Sequence, residues 1–109
     1  MKEEFVLEGN WETREVFLNQ KLITPEYSQR LINHSPDGFC WGYNGSGPAQ
    51  LALAILLHLF DESVAKKHYQ TFKFAFVSKL PQMYNFKAFA TVSINHKLSM
   101  VIKKIKCLT

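Results

Sequence analysis

Between Pro48 and Phe60 the chain carries only two clearly polar side chains, Gln50 and His58. Leu51, Leu53, Ile55, Leu56, Leu57 and Leu59 fall on all sides of a helical projection, with Ala49, Ala52 and Ala54 as small contacts between them. A helix without a polar stripe has to be covered on more than one side. The rest of the chain must therefore supply that cover, and 48–60 is expected to be a central core helix. Its apolar run falls short of the roughly 18 residues that a bilayer-spanning helix needs.

The segment feeding this helix is of the opposite character. Asn33–Leu57 holds four of the five glycines and two of the four prolines. Ser35-Pro36-Asp37-Gly38 is a turn signal, with Pro fixing φ and Gly free to take the left-handed region. Phe39, Trp41 and Tyr43 then alternate with Cys40 and Gly42, which predicts a short strand with its aromatic rings on one face. Asn44-Gly45-Ser46-Gly47 turns the chain again, and Pro48 suits a first helical turn capped by Ser46 or Gly47.

On either side the pattern is plainer. Residues 1–12 read as a loosely packed arm with Phe5, Val6, Leu7 and Trp11 as anchors. Arg14–Ile23 alternates around a polar Asn19-Gln20 pair and reads as a β-hairpin of undecided turn type. Thr24-Pro25 breaks it, and Glu26–Ile32 reads either as a short helical turn or as an extended link. Asp61 caps a second helix in which Ala65, His68, Tyr69, Phe72, Phe76 and Leu80 recur at helical spacing until Pro81. Phe72, Phe74 and Phe76 also alternate as a strand would, but the longer register and the Ala/Lys content favour helix. Gln82–Thr91 reads as irregular or weakly strand-like. Ile94, Leu98, Val101, Ile105 and Leu108 are spaced 4, 3, 4 and 3, predicting an amphipathic C-terminal helix with Ser93 as its cap and Lys97, Lys103, Lys104 and Lys106 beside the stripe.

Several of these segments resemble a small bacterial and phage family of unknown function. The resemblance lies in Asn33–Phe39, Trp41–Tyr43 and Gly45–Ala54, in Tyr69-Gln70 with Phe72-Lys73, and in Leu80-Pro81. It covers roughly Arg14–Phe86, with Cys40 at a variable position and the tail after Phe86 departing from the pattern. It implies a fold and a site in the 33–48 loop, and no reaction.

The net charge of +4 conceals a division: residues 1–60 hold four Lys/Arg and seven Asp/Glu, residues 61–109 nine Lys and two acids. A basic half attracts nucleic acid, an anionic membrane or an acidic protein, although all its basic residues are Lys, and Arg is the usual reader of bases. The alternative is a solvated lysine surface. The acidic start, Glu3, Glu4 and Glu8, is unlike a secretory signal. Cys40 and Cys107 lack metal or CxxC spacing and read as reduced thiols, so a cytoplasmic location is expected.

Four features bear chemistry. The Gly45–Gly47 loop ahead of a helix suits an anion but lacks the Walker and dinucleotide fingerprints, and turn geometry explains its glycines equally well. Asn33, His34, Ser35 and Asp37 include the residue types of a Ser-His-Asp relay, yet neighbours in sequence seldom point at one another, and local turn bonds are the plainer account. Phe39, Trp41 and Tyr43 either stack bases or fill the core. The lysine-flanked C-terminal segment either docks on a partner or simply faces water. His34, His58, His68 and His96 are scattered, so no metal and no cofactor is expected.

The expectation is a single α+β domain over 1–109, with an antiparallel hairpin or three-stranded sheet packed on two or three helices. Its function is expected to be that of an accessory protein of a bacterial or phage mobile element, binding a macromolecule or anionic ligand rather than acting as an enzyme. The binding candidates are Asn33, His34, Ser35, Asp37, Trp41, Tyr43, Ser46 and Gln50 in the loop, and Lys97, Lys103, Lys104 and Lys106 in the basic half. A nucleic-acid module is one alternative, and a nucleotide-binding protein or small enzyme with a pocket at the same loop is another. A protein or a nucleic acid remains open as the partner.

Overall fold

The computed structural model describes residues 1–108. The chain is α+β. A five-stranded antiparallel sheet of order β3-β2-β1-β4-β5 carries three helices on one face. The strands are β1 (Lys2–Gly9), β2 (Val16–Leu18), β3 (Lys21–Ile23), β4 (Phe86–Asn95) and β5 (Lys97–Cys107). The helices are α1 (Glu26–Leu31), α2 (Ser46–Leu59) and α3 (Glu62–Ala75), with a 3-10 turn at Val77–Lys79.

Successive strand residues point to opposite faces, and the buried set follows that period. Phe5 and Leu7 of β1, Val16 and Leu18 of β2, Ile23 of β3, and Phe86, Ala88, Ala90, Val92 and Ile94 of β4 enter the core. Phe72 and Phe76 of the α3 segment meet the Phe5 ring at 6.1 and 5.4 Å between centroids. α2 packs along α3 and α1 against α2, and α2 buries every residue from Gly47 to Leu57.

The hairpin of Arg14–Ile23 forms. Asn19 and Gln20 both take positive φ, +50° and +69°, the pattern of a type I′ turn, which matches the twist of paired strands. Glu26–Leu31 is helical. The helical register in α3 prevails over the strand reading. Asp61 caps it by accepting the Val64 N–H at 2.9 Å, and Ala65, His68, Tyr69 and Phe72 are buried along it.

Several expectations are overturned. Residues 2–9 are not an arm: β1 is the middle strand, paired with β2 on one side and along its whole length with β4 on the other. Of the two readings of 82–91, irregular or weakly strand-like, the strand forms: it starts at Phe86 and runs on to Asn95. The tail from Ile94 is not a helix either. Ile94 belongs to β4, and Lys97–Cys107 is an edge strand joined to it at His96, which turns the chain with φ +69°. Ser93 is a strand residue paired with Ser99 and caps nothing. Spacings of 4 and 3 suit a helix, but the β-branched content of 92–105 suits a pleated surface, and pairing with β4 decides the outcome. The strand expected at Phe39–Tyr43 is absent as well, and α2 begins at Ser46 with Gly45 as its cap residue.

Candidate functional site

The 33–48 loop separates into a buried clasp and an open hollow. Gln50 is fully buried, and its amide uses both ends. Oε1 accepts the backbone N–H groups of His34 at 2.7 Å and Ser35 at 2.9 Å, while Nε2 donates to Ser28 Oγ at 2.9 Å and the Ile32 carbonyl at 3.0 Å. One side chain thus fastens α1 and the following turn to α2, and none of its capacity is left for a ligand. The His34 ring meets the Tyr69 hydroxyl of α3 through Nε2 at 2.5 Å. Its partner is neither Ser35 nor Asp37, so no Ser-His-Asp relay forms. Asn33 is exposed on the approach to this clasp.

Trp41 is also structural. It is fully buried, donates through Nε1 to the Pro81 carbonyl at 3.1 Å, and lies edge-on to Trp11 and Phe86 at 5.6 and 5.1 Å. Phe39 joins it in the core. Gly42 stands between these residues and the hollow with φ +88°, its N–H bonded to the Val77 carbonyl at 3.1 Å. A Cβ there would lie 2.5 Å from Gln82 Cβ, so both the angle and the space require glycine.

Ser35, Asp37, Tyr43 and Ser46 do share a surface. With Glu12, Arg14 and Cys40 they line an open hollow of about 580 Å³ at the start of α2. That helix start has neither a side-chain cap nor an acidic residue in its first turn. The Arg14 guanidinium is held 3.5 Å from the Trp11 ring centroid. Burial, and then contact with Cys40, raises the Tyr43 phenol above its usual pKa. The loop candidates are therefore divided. Asp37 and Ser46 open onto the hollow, Trp41 and Gln50 lie in the interior, and His34 is bound to Tyr69.

The basic candidates lie on the sheet. By strand alternation, Lys97, Lys104 and Lys106 of β5 point to the face opposite the helices. Lys103 is the extra residue where the β4–β5 register shifts between Phe89 and Ala90, and its Nζ reaches Glu4 of β1 at 2.9 Å on that same face. Direct cross-strand neighbours form rows: Leu22, Phe17, Glu8, Lys87 and Lys106 in one; Val6, Phe89 and Lys104 in the next; Glu4, Thr91 and Val101 in a third. The face displays six lysines, Lys2, Lys87, Lys97, Lys103, Lys104 and Lys106, against Glu4 and Glu8. Among the described residues no element packs over it.

Residues 8–97 match DUF6166, a family of unknown function. The chain belongs to that family. No curated protein and no solved structure matches it.

The DUF6166 match runs past Phe86 through the whole of β4, so the strand bearing Lys87 and Phe89 lies within the family region and most of β5 beyond it. Sequence reading missed Glu12, Arg14 and Cys40 in the hollow, and Val6, Phe17, Lys87 and Phe89 on the sheet. The signal for β4 was present: Phe86–Asn95 alternates but for Phe89, with Lys87, Thr91, Ser93 and Asn95 as the polar members of one parity. Nothing comparable marks Arg14, which chain folding alone brings to the same hollow as Ser46. Among the described residues of this DUF6166 chain, no three His, Cys, Asp or Glu side chains are grouped to hold a metal ion. No helix is long and apolar enough to cross a membrane. Both cysteines are free thiols.

Proposed function

We propose that this chain is a non-enzymatic binding protein whose partner is a polyanionic macromolecule held on the outer face of the sheet. The observation that carries this reading is the excess of lysines over glutamates on a face that no other element covers. Clustered ammonium groups on one open face gain from a partner that presents several negative charges at once. Lys97, Lys103, Lys104 and Lys106 keep the role expected for them, on a strand instead of a helix. The engagement of His34 with Tyr69 supports a binding rather than a catalytic role for the loop. An accessory role in a bacterial or phage element is supported by the resemblance of Asn33–Ala54 alone.

The test is salt-dependent binding of the full chain to polyanions such as heparin, polyphosphate and nucleic acid. Binding that weakens steeply with salt and falls in a Lys104→Gln/Lys106→Gln variant supports the reading. Binding to none of these at low ionic strength overturns it.

A second reading, a small anionic ligand or nucleotide in the hollow lined by Ser35, Asp37, Tyr43 and Ser46, is favoured by Arg14 lining the same hollow as the uncapped start of α2. Amide shifts at Ser46 and Gly47 on titration with phosphate or a nucleotide, lost in Arg14→Gln, are the expected result. Unmoved amides remove it.

A further inference from the structure

We infer that the polyanion is single-stranded nucleic acid, with a base stacked on the Phe89 ring and the backbone following the lysines around it; this rests on the polyanion reading above. Phe89 lies on β4, beside the edge strand of the outer face, half-buried, with Val6 directly across on β1 and Lys104 directly across on β5. Lys87, two residues along the same strand, brings its Nζ to 5.6 Å from the Phe89 centroid. Lys106 flanks Lys87 in the next row, and Lys103 reaches over the other side of Phe89 to Glu4.

Lysines alone would suit any polyanion. An aromatic ring at their centre adds a surface that matches the face of an unstacked base, and such stacking tolerates any base identity. The absence of arginine from this surface agrees with a mode that reads no base edges. The open face of a five-stranded sheet is too broad to enter the major groove of a duplex, where bases are stacked and hidden, whereas a strand with its bases splayed can lie across it. An anionic membrane is matched less well, because Phe89 is half-buried in the sheet instead of projecting for insertion. Lys103 enters the complex by exchanging Glu4 for a phosphate, and both groups are solvent-exposed, so the exchange is open to it.

The experiment measures binding of the full chain to a fluorescent fifteen-nucleotide single strand across a salt series. Duplex of the same sequence, heparin and phosphatidylserine vesicles serve as competitors. The expected result is preferential single-strand binding with a log–log salt slope of about −3, four lysine contacts at the single-strand value per phosphate. Phe89→Leu keeps an apolar side chain in the pleat and removes the ring. It is expected to weaken binding about ten-fold with the salt slope and melting temperature unchanged, while Phe89→Trp retains binding and shows quenched fluorescence. Lys104→Gln/Lys106→Gln should instead flatten the slope. Equal affinity of Phe89→Leu and wild type, or stronger competition by duplex, heparin or vesicles than by single strand, overturns the nucleic-acid inference and leaves the polyanion reading standing. Loss of every polyanion at low salt removes both.

Discussion

The Gln50 Oε1 atom accepts the backbone N–H of His34 at 2.7 Å, across sixteen residues of chain. Together with its bonds to Ser35, Ser28 and Ile32 it makes a fully buried amide the point at which the glycine-rich segment is anchored to α2. A polar residue in an apolar helix invites a functional account. Here it has a structural one, since it satisfies the backbone of a turn that has no secondary-structure partner.

Gln50→Leu should therefore destabilise the fold rather than abolish a binding site. It leaves two N–H donors, a hydroxyl and a carbonyl without their partner, at a cost of about 2–4 kcal/mol. Gln50→Glu preserves the acceptor and loses both donations, so it too should be less stable than wild type. Urea unfolding read by far-UV circular dichroism gives the stability. Polyanion affinity of whatever remains folded should be unchanged, because the sheet face is remote from the clasp.

Gly42→Ala should cost about 1–3 kcal/mol, combining a disfavoured φ with the overlap against Gln82. The contrast with Asn44→Ala is informative. Asn44 is exposed in the adjacent turn, and its replacement should fall within about 0.5 kcal/mol of wild type. Equal stability of the two variants would mean that Gly42 does not hold the positive φ and the close approach to Gln82 described. Thermal melts of both, at one protein concentration, make the comparison.

The helical half of the fold could be read from the sequence because its signals are local. Asp61 caps where a cap is needed, Ala65, His68, Tyr69 and Phe72 keep one period, and the leucines of 51–59 leave no other element open. The strands depend on partners far away in sequence. Phe5 and Leu7 look like isolated anchors until β4, more than eighty residues later, lies alongside. Val101 and Ile105 fit a helical stripe as well as a pleat, and only pairing with β4 decides between the two. The candidate site was legible to the same extent. Ser46 and Asp37 could be assigned to a loop surface, but the meeting of Lys104 with Phe89 required a sheet that no single segment announces.

Hydrogen exchange distinguishes the edge strand from the helix expected there. In β5 only alternate amides can bond to β4, and the others face away from the sheet. Protection along Leu98–Ile105 should therefore alternate, with a break at Lys103 where the register shifts, whereas a helix would protect consecutive amides. β1, paired on both sides, should show protection at consecutive positions of Phe5–Gly9. The long exposed edge also explains the lysines and the bulge by a second route, since both discourage pairing with another chain. Lys104→Val/Lys106→Val should accordingly increase self-association, read by light scattering.

Acid should destabilise the fold in two stages. Partial burial lowers the His58 pKa from its usual 6.5, and the Tyr27 ring lies edge-on to it at 6.2 Å. Between that lowered value and 6.5 the unfolded chain holds more protons at this site than the folded one, so stability falls as pH drops below about 6.5. The hydrogen bond and charge of Lys103 lower Glu4, and the hydrogen bond from Thr24 lowers Glu26, both from 4.5. Their stabilisation is complete above the unfolded value and is lost as pH falls through the lowered folded values. Urea midpoints followed against pH should show one decline below about 6.5 and a second below about 4.5. His58→Gln should flatten the upper arm and leave the lower one. Glu4→Gln should reduce the lower arm alone, and a Glu4→Gln profile identical to wild type would mean that the ion pair with Lys103 is not maintained in solution.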